Sequence, residues 1–545
     1  MTEAERTRLQ RYQLRTLVLD AGAELLHEEG LGAKTAPLGY AEAFRWLAEH
    51  RSLTVSRAQV HRRIWNSLEE YREEVMANMV RYGWPGEVLE ATVTEVDKAI
   101  DELDLADKDA EARLNLLCDL ARQLTDHNAD QLRNLRSIAA ADAIFAMHSL
   151  GAADKPGSPG VSAALLQNKT EILERYIELY SRVGDVFGAT PGEGWGLSPT
   201  DGMRMYAETL SCLNQGAAGR SSFERTLQEI ELGDQLWSVE GLCVHALTGH
   251  VASVDGPRAQ EEEDCVVEPL LVTDGNKVDR LRQPEFGEEV PETGTRMERN
   301  TLRRHMIEAG MAILLEKGFG HGAEQITYSR VFDRIKERHD ITVARAQVHR
   351  RIWRSQNHFQ LELLAIAAQP NVMAGVQRAT ERAAQALDGL DVGSPGMARV
   401  AASRVVRAAA VATVEELERS EEWLLGRAIM SFHALNRTRT DIVGDALHQE
   451  YEAGIANWAG LFEAFALALG YQPRTWTGRS LSEVCEIAAR CTDVLTDGVI
   501  ARARMLNETA TYPVSMAGDQ SADWNLLGIG AWCVIDFLLE PGDPG

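Results

Sequence analysis

The chain has 545 residues, with 56 Lys and Arg against 82 Asp and Glu, a formal net charge of −26. At 45% hydrophobic and 25% charged it has ordinary globular composition, which excludes disorder through most of its length. The acidic total also excludes a protein that coats nucleic acid with its whole surface. A local basic element stays open, because charges act within about 8–10 Å at physiological salt.

Only 16 prolines occur, so long helices are expected. No run approaches the ~18 apolar residues of a membrane span, and the start, MTEAERTRLQRYQLR, has no apolar signal region. Seven scattered cysteines without a CxxC pattern read as reduced thiols. The expectation is a soluble, cytoplasmic protein with no membrane partner.

In chain order, residues 8–29 place Leu14, Leu17, Val18, Ala21, Leu25 and Leu26 at helical spacing and end at Gly30, a fitting left-handed C-cap. A short second helix carries Tyr40, Phe44 and Leu47. A third is predicted from near Val55, capped by Thr54, with Ala58, Val60 and Ile64 inward and Arg57, Gln59, His61 and Arg62 outward. Helical stretches follow over 86–127, 129–150, 161–188, 201–231 and 234–249. Residues 251–298 hold 13 acidic and 5 basic residues and four prolines, the composition of an exposed linker, although VVEPLLV could pair briefly as a strand.

Beyond the linker the pattern repeats. Residues 21–65 and 309–353 align without a gap at an offset of 288, with 20 of 45 positions identical and RAQVHRRIW unchanged. Leu302, Met306, Ala309, Ile313 and Leu314 lead to Gly318, and Tyr328, Phe332 and Ile335 follow on a second helix. Fainter matches continue: AIFAMHSLG (143–151) with AIMSFHALN (428–436), Trp195 with Trp476, and LWSVEGLCV (236–244) with LLGIGAWCV (526–534), the last at 290. The reading is an all-α tandem duplication. Its parts are a helix-turn-helix head (8–82), a helical regulatory domain (86–250), the linker (251–298), a second head (299–370) and a second regulatory domain (371–540).

Three short helices ending in a basic one suggest helix-turn-helix DNA binding. Residues 51–65 contain four arginines and no acid, and so do residues 341–354. Arginine can fork onto guanine and glutamine onto adenine, while His61, Arg62 and Arg63 can hold phosphates. The candidate DNA-binding residues are Thr54, Arg57, Gln59, His61, Arg62 and Arg63, and in the second copy Thr342, Arg345, Gln347, His349, Arg350 and Arg351. An amphipathic helix with solvated arginines is the plain alternative, but it leaves the identity of both polar faces unexplained.

On these residues the chain resembles the tetracycline-repressor (TetR) family. The features are Leu26-x-x-x-Gly30 and Leu314-x-x-x-Gly318, the V-[SA]-R-x-x-V turn, and DGVIARARM (497–505), which is similar to a stretch of that family's regulatory domain. The family usually has an aromatic residue where His61 and His349 stand, and commonly a phenylalanine near Ile64 and Ile352. It normally works as homodimers, so the resemblance implies an intramolecular pseudo-dimer that reads an inverted-repeat operator in double-stranded DNA. Further pairing of whole chains stays open. It also implies a ligand-responsive regulator, more often a repressor, with a small-molecule inducer bound in a regulatory domain. A 48-residue linker, ~35–40 Å as a coil and ~160 Å extended, can join the two units.

Pocket candidates are His148 and His433, at equivalent places on apolar helices, with Met203, Met205, Trp195 and Trp476 behind them; buried core is the plainer role for each. Cys212 and Cys491 read as inert small hydrophobes. HEEG (27–30) is not HExxH, neither GSPG is GxSxG, and GEGWG (192–196) lacks a P-loop's lysine. The sequence therefore predicts no enzyme, no cofactor and no metal site, with a protein-interaction role as the alternative to DNA binding.

Overall fold

A computed structural model of the chain describes residues 3–29, 38–82, 86–105, 107–133, 144, 159–220, 230–254, 299–317, 326–349, 351–368, 372–388, 393–435, 441–517 and 521–542. Among these residues lie nineteen α-helices and eight strands of three or four residues. The fold is all-α.

The first half contains α1 (Glu3–Glu29), α2 (Tyr40–Arg51), α3 (Arg57–Val60), α4 (Leu68–Tyr82), α5 (Gly86–Asp101), α6 (Ala110–Arg133), α7 (Pro159–Phe187), α8 (Pro199–Arg220) and α9 (Val239–Val251). The second contains α10 (Arg299–Lys317), α11 (Tyr328–His339), α12 (Arg345–Val348), α13 (Gln356–Ala367), α14 (Val372–Leu387), α15 (Pro395–Leu417), α16 (Glu421–Leu435), α17 (Asp441–Ala468), α18 (Leu481–Leu506) and α19 (Leu526–Leu538). Short antiparallel ladders join β1 (Ala189–Pro191) to β4 (Ala252–Val254), β2 (Ile230–Leu232) to β3 (Gln235–Trp237), β5 (Tyr471–Pro473) to β8 (Leu539–Pro541), and β6 (Thr511–Val514) to β7 (Ala522–Asn525).

Several expected boundaries move. The stretch 86–127 is two helices, broken by the acidic segment after Asp101, and Asp109 Oδ1 accepts from Ala112 N at 2.8 Å as the second begins. The expected helix 201–231 ends at Arg220, and the chain re-enters as a hairpin whose two-residue Gly233-Asp234 turn gives Gly233 a φ of 58°. A positive φ there matches the twist of a two-residue hairpin. The linker cannot begin at 251, because Val251 closes α9 and Ala252–Val254 pairs with Ala189–Pro191. Residues 255–298, the glycines Gly30 and Gly318, and most of the expected helix 129–150 lie outside the described residues.

The two halves meet where α8 crosses α18. A Cβ added to Gly216 would lie 1.9 Å from Val494 O, and one on Gly498 would lie 1.7 Å from Cys212 O. Both helices have therefore given up a side chain so that their backbones can touch. The positions are related reciprocally: 216 to 498 and 212 to 494 share one offset of 282, so each glycine rests on the counterpart of its neighbour's support. Helices α9 and α19 pack beside them to complete a four-helix bundle. Ser238 and Asn525 cap these last two helices, accepting from Gly241 N and Gly528 N, each at 2.8 Å. Those caps correspond at an offset of 287, three residues from the 290 of the sequence alignment.

Polar contacts cross the same interface. Buried Arg220 reaches Asp493 and lies 2.7 Å from Asp497, Arg502 lies 2.7 Å from Glu208, and Tyr512 donates to Glu208 at 2.9 Å. His250 Nε2 is 2.8 Å from Asp536, which Arg399 also grips at 2.6 Å. Burial alone would raise the Asp536 carboxyl, but His250 and Arg399 outweigh it and hold the group at about 2.

Candidate nucleic-acid interface

Each head is built around an aromatic group that bends the chain after its third helix. In the first, the Tyr40 ring lies 5.0 Å from Tyr71 and the Trp65 ring 4.9 Å from Tyr71. In the second, Tyr328 lies 5.6 Å from Phe359 and Trp353 lies 4.8 Å from Phe359. The indole N–H of Trp65 donates to Glu74, which pairs with Arg15; that of Trp353 donates to Glu362, which pairs with Arg303. These two triads join the first helix, the turn and the fourth helix at one offset of 288. Arg72 Nε donating to Leu38 O at 2.7 Å and Gln360 Nε2 donating to Ile326 O at 2.8 Å are related by the same offset. The sequence reading missed these positioning residues, although identical Arg and Glu at 15/303 and 74/362 lay just outside the aligned segment.

Burying the indole shortens the third helix. The predicted helix from Val55 through Ile64 is only Arg57–Val60, and Arg345–Val348 in the second head. Ser56 and Ala344 occupy the N-cap positions, so Thr54 and Thr342 are not caps but exposed residues of the preceding turn. Gln59 Oε1 accepts from Ser56 N at 2.8 Å, and Gln347 Oε1 from Ala344 N at 2.6 Å. Each glutamine closes a helix end, so pairing with adenine through both amide atoms would require breaking that bond.

After Val60 the chain turns extended at His61, and Arg62 adopts a left-handed φ of 61°. Arg62 N donates back to Trp65 O at 2.7 Å. The second head makes the corresponding His349 to Trp353 bridge. His61, Arg62 and Arg63, and likewise His349 and Arg351, therefore stand on a tight turn and not on a helix. Ala58 and Ala346 are exposed, contrary to the inward face expected of Ala58, while Val60 and Val348 are fully buried and Ile64 and Ile352 pack half-buried beneath the turn.

What remains on the outside is basic. Arg57, Arg62 and Arg63 are exposed in the first head, as are Arg345, Arg351 and Arg354 in the second. No ion pair is formed by these six among the described residues. Arg350 lies outside the described residues. His61 and His349 are half-buried, each with an Nδ1 that has no hydrogen-bond partner among the described residues.

The helices beyond the second head line an apolar cavity, with Val406, Ala409, Phe462, Phe465 and Leu527 among its walls. Two buried donors on its wall, Trp458 Nε1 and the Tyr471 hydroxyl, have no hydrogen-bond partner among the described residues. Trp458 also borders a more polar cavity with Arg220, Glu450, Asp493 and Asp497. Burial, helped by the charge of Asp493, pushes the Glu450 carboxyl up to about 7.

Of the expected pocket residues, Met203, Met205, Trp195 and Trp476 line neither space. His148 lies outside the described residues, and His433 is on α16 at a point where no side chain is described. Trp195 and Met205 are buried core, and the Trp476 ring lies tilted 4.9 Å from Phe537 while remaining partly exposed. Burial raises the Cys212 thiol, in keeping with an inert role. Among the described residues no helix is long and apolar enough to cross a membrane. Comparisons with family models, characterised proteins and solved structures found no match to the chain.

Proposed function

We propose that the protein is a sequence-specific DNA-binding transcriptional regulator in which two TetR-like units, arisen by tandem duplication, replace the two subunits of a homodimer. The observation that carries this reading is the repeated basic turn: two heads, held by identical Arg–Glu–Trp triads, expose the equivalent pairs Arg57/Arg345 and Arg63/Arg351, without acidic partners among the described residues, on an otherwise acidic chain. Arg57 and Arg345, each on the first turn of its short helix, are suited to base edges; Arg62, Arg63, Arg350 and Arg351 are suited to phosphates. The reciprocal glycine crossing fits an internal pseudo-dimer, whose heads would meet successive major grooves of an inverted repeat about 34–36 Å apart.

The apolar cavity is the natural seat for an inducer, a mostly apolar molecule with acceptor atoms for Trp458 and Tyr471. Such a ligand releases DNA only by preferring the conformation that misplaces the heads, and DNA must then weaken ligand binding by the same factor.

Fluorescence anisotropy with duplexes from the protein's own promoter region tests the reading. Affinity should fall by about 0.9 log units per log unit of salt for each phosphate contacted. Arg57→Ala and Arg345→Ala should each weaken site preference and together abolish it. Unchanged preference in the double variant would remove the assignment, and binding to a protein partner with no affinity for DNA would favour an interaction role.

A further inference from the structure

The second head contains a feature that the first does not share. His305 on α10, Glu308 one turn later and His339 at the end of α11 bring three ligand atoms within 4.8 Å of one another, the one such group among the described residues. The imidazoles of His305 and His339 are 4.5 Å apart between centroids, and His305 Nδ1 is 3.5 Å from Glu308 Oε2. That Nδ1 is buried and has no hydrogen-bond partner among the described residues, so a donor atom is aimed into the cluster without being satisfied by the fold. Glu308 is half exposed and its other oxygen is 3.8 Å from Arg304, so the cluster opens to solvent on one side.

We infer that His305, Glu308 and His339 form a binding site for a divalent transition metal of the Zn2+ class, which clamps the first two helices of the second head together. Two imidazoles and a carboxylate are a borderline-soft donor set that suits Zn2+ better than Mg2+ or Ca2+. With bonds of about 2.0–2.2 Å, ligand atoms of a tetrahedral site stand roughly 3.3–3.5 Å apart. His305 and Glu308 already meet that spacing, and a side-chain rotation of His339 brings in the third ligand. Water takes the fourth position on the open side.

The corresponding positions in the first head, 288 residues earlier, are Leu17, Asp20 and Arg51. There a leucine and an arginine replace the two imidazoles, so the first head lacks the donor set, and the charge of Arg51 opposes the rise that burial imposes on the Asp20 carboxyl. His339 directly precedes Asp340, the left-handed cap after which the chain runs to α12. A metal on His339 therefore stiffens the approach to one basic turn and not the other. The site stands on its own geometry and does not depend on what the heads bind.

The first head also supplies the control. In full-length protein, His305→Leu with His339→Arg installs residues that the same helix pair already accommodates, and Glu308→Gln leaves both imidazoles in place. Equilibrium dialysis with Zn2+ should find one equivalent more on the wild type than on the double variant. Co2+ in the wild type should develop visible absorption of a four-coordinate ion, lost in both variants. At free Zn2+ near 100 times the dissociation constant, amide exchange through opening of the last turn of α11 should slow about 100-fold in the wild type alone. Equal metal content in wild type and double variant, or exchange that Zn2+ leaves unchanged, would overturn the assignment.

Discussion

Adding one methyl group at Gly498 sets two effects of opposite sign against each other. In a helix interior alanine is favoured over glycine by about 1 kcal/mol, so a crossing with room for the methyl would become more stable. Here the new carbon would lie 1.7 Å from Cys212 O, and at Gly216 it would lie 1.9 Å from Val494 O. Tolerable carbon–oxygen contacts are about 3.3 Å or longer, so the helices must part by roughly 1.5 Å. The obstacle is backbone, which cannot swing aside as a side chain can. Overpacking a core costs about 1–3 kcal/mol even where side chains can yield. Each Gly→Ala variant should therefore lose about 2–4 kcal/mol net, and the pair should lose less than the sum, because the gap is opened once. Gly460 on α17 has nothing within 4 Å of the added carbon, so Gly460→Ala should gain up to about 1 kcal/mol. Urea unfolding followed by tryptophan fluorescence measures all four variants against the wild type. Gly498→Ala as stable as Gly460→Ala would refute the backbone contact between the halves.

Other expected outcomes are equally direct. Asp536, held at about 2 against an ordinary unfolded value near 3.9, contributes about 2 kcal/mol that is present above pH 4 and lost as pH falls through 2. Acid titration of stability should therefore lose part of its slope over that window in Asp536→Asn. Trp65→Phe or Trp353→Phe removes the N–H that holds Glu74 or Glu362, and should cost its own head about 1.5–3 kcal/mol in hydrogen-exchange stability while sparing the other. Ala409→Phe should fill the apolar cavity and abolish binding of a naphthalene-type fluorescent dye that the wild type takes up, with circular dichroism unchanged.

Much of the head was legible in the sequence because periodicity and burial coincide there. Val18, Ala21, Tyr40, Leu47, Met306 and Ile335 are all buried as their spacing predicts. The sequence overextends the third helix because RAQVHRRIW contains no Gly or Pro to stop it, and local propensity cannot see that Trp65 and Trp353 must reach Glu74 and Glu362. Gln59 and Gln347 look like base readers by type, yet their position three residues after the N-cap makes them caps. The short strands are not legible because three or four residues carry too little alternation, although Gly233-Asp234 is a hairpin signal. Gly216 and Gly498 carry no signal of their own: a lone helical glycine reads as a weak point until the facing backbone is known. The His305, Glu308 and His339 group is invisible to motif spacing, since its third member comes from another helix.

The most direct measurement is selection from a random duplex pool by the full-length protein, with the mass of the selected complexes determined. One chain per duplex is expected, on an inverted repeat whose half-site centres lie about one helical turn, or a whole number of turns, apart. Recovery of no common sequence, or of single half-sites each held by one chain, would contradict the proposal that both basic turns of a single polypeptide grip the same DNA.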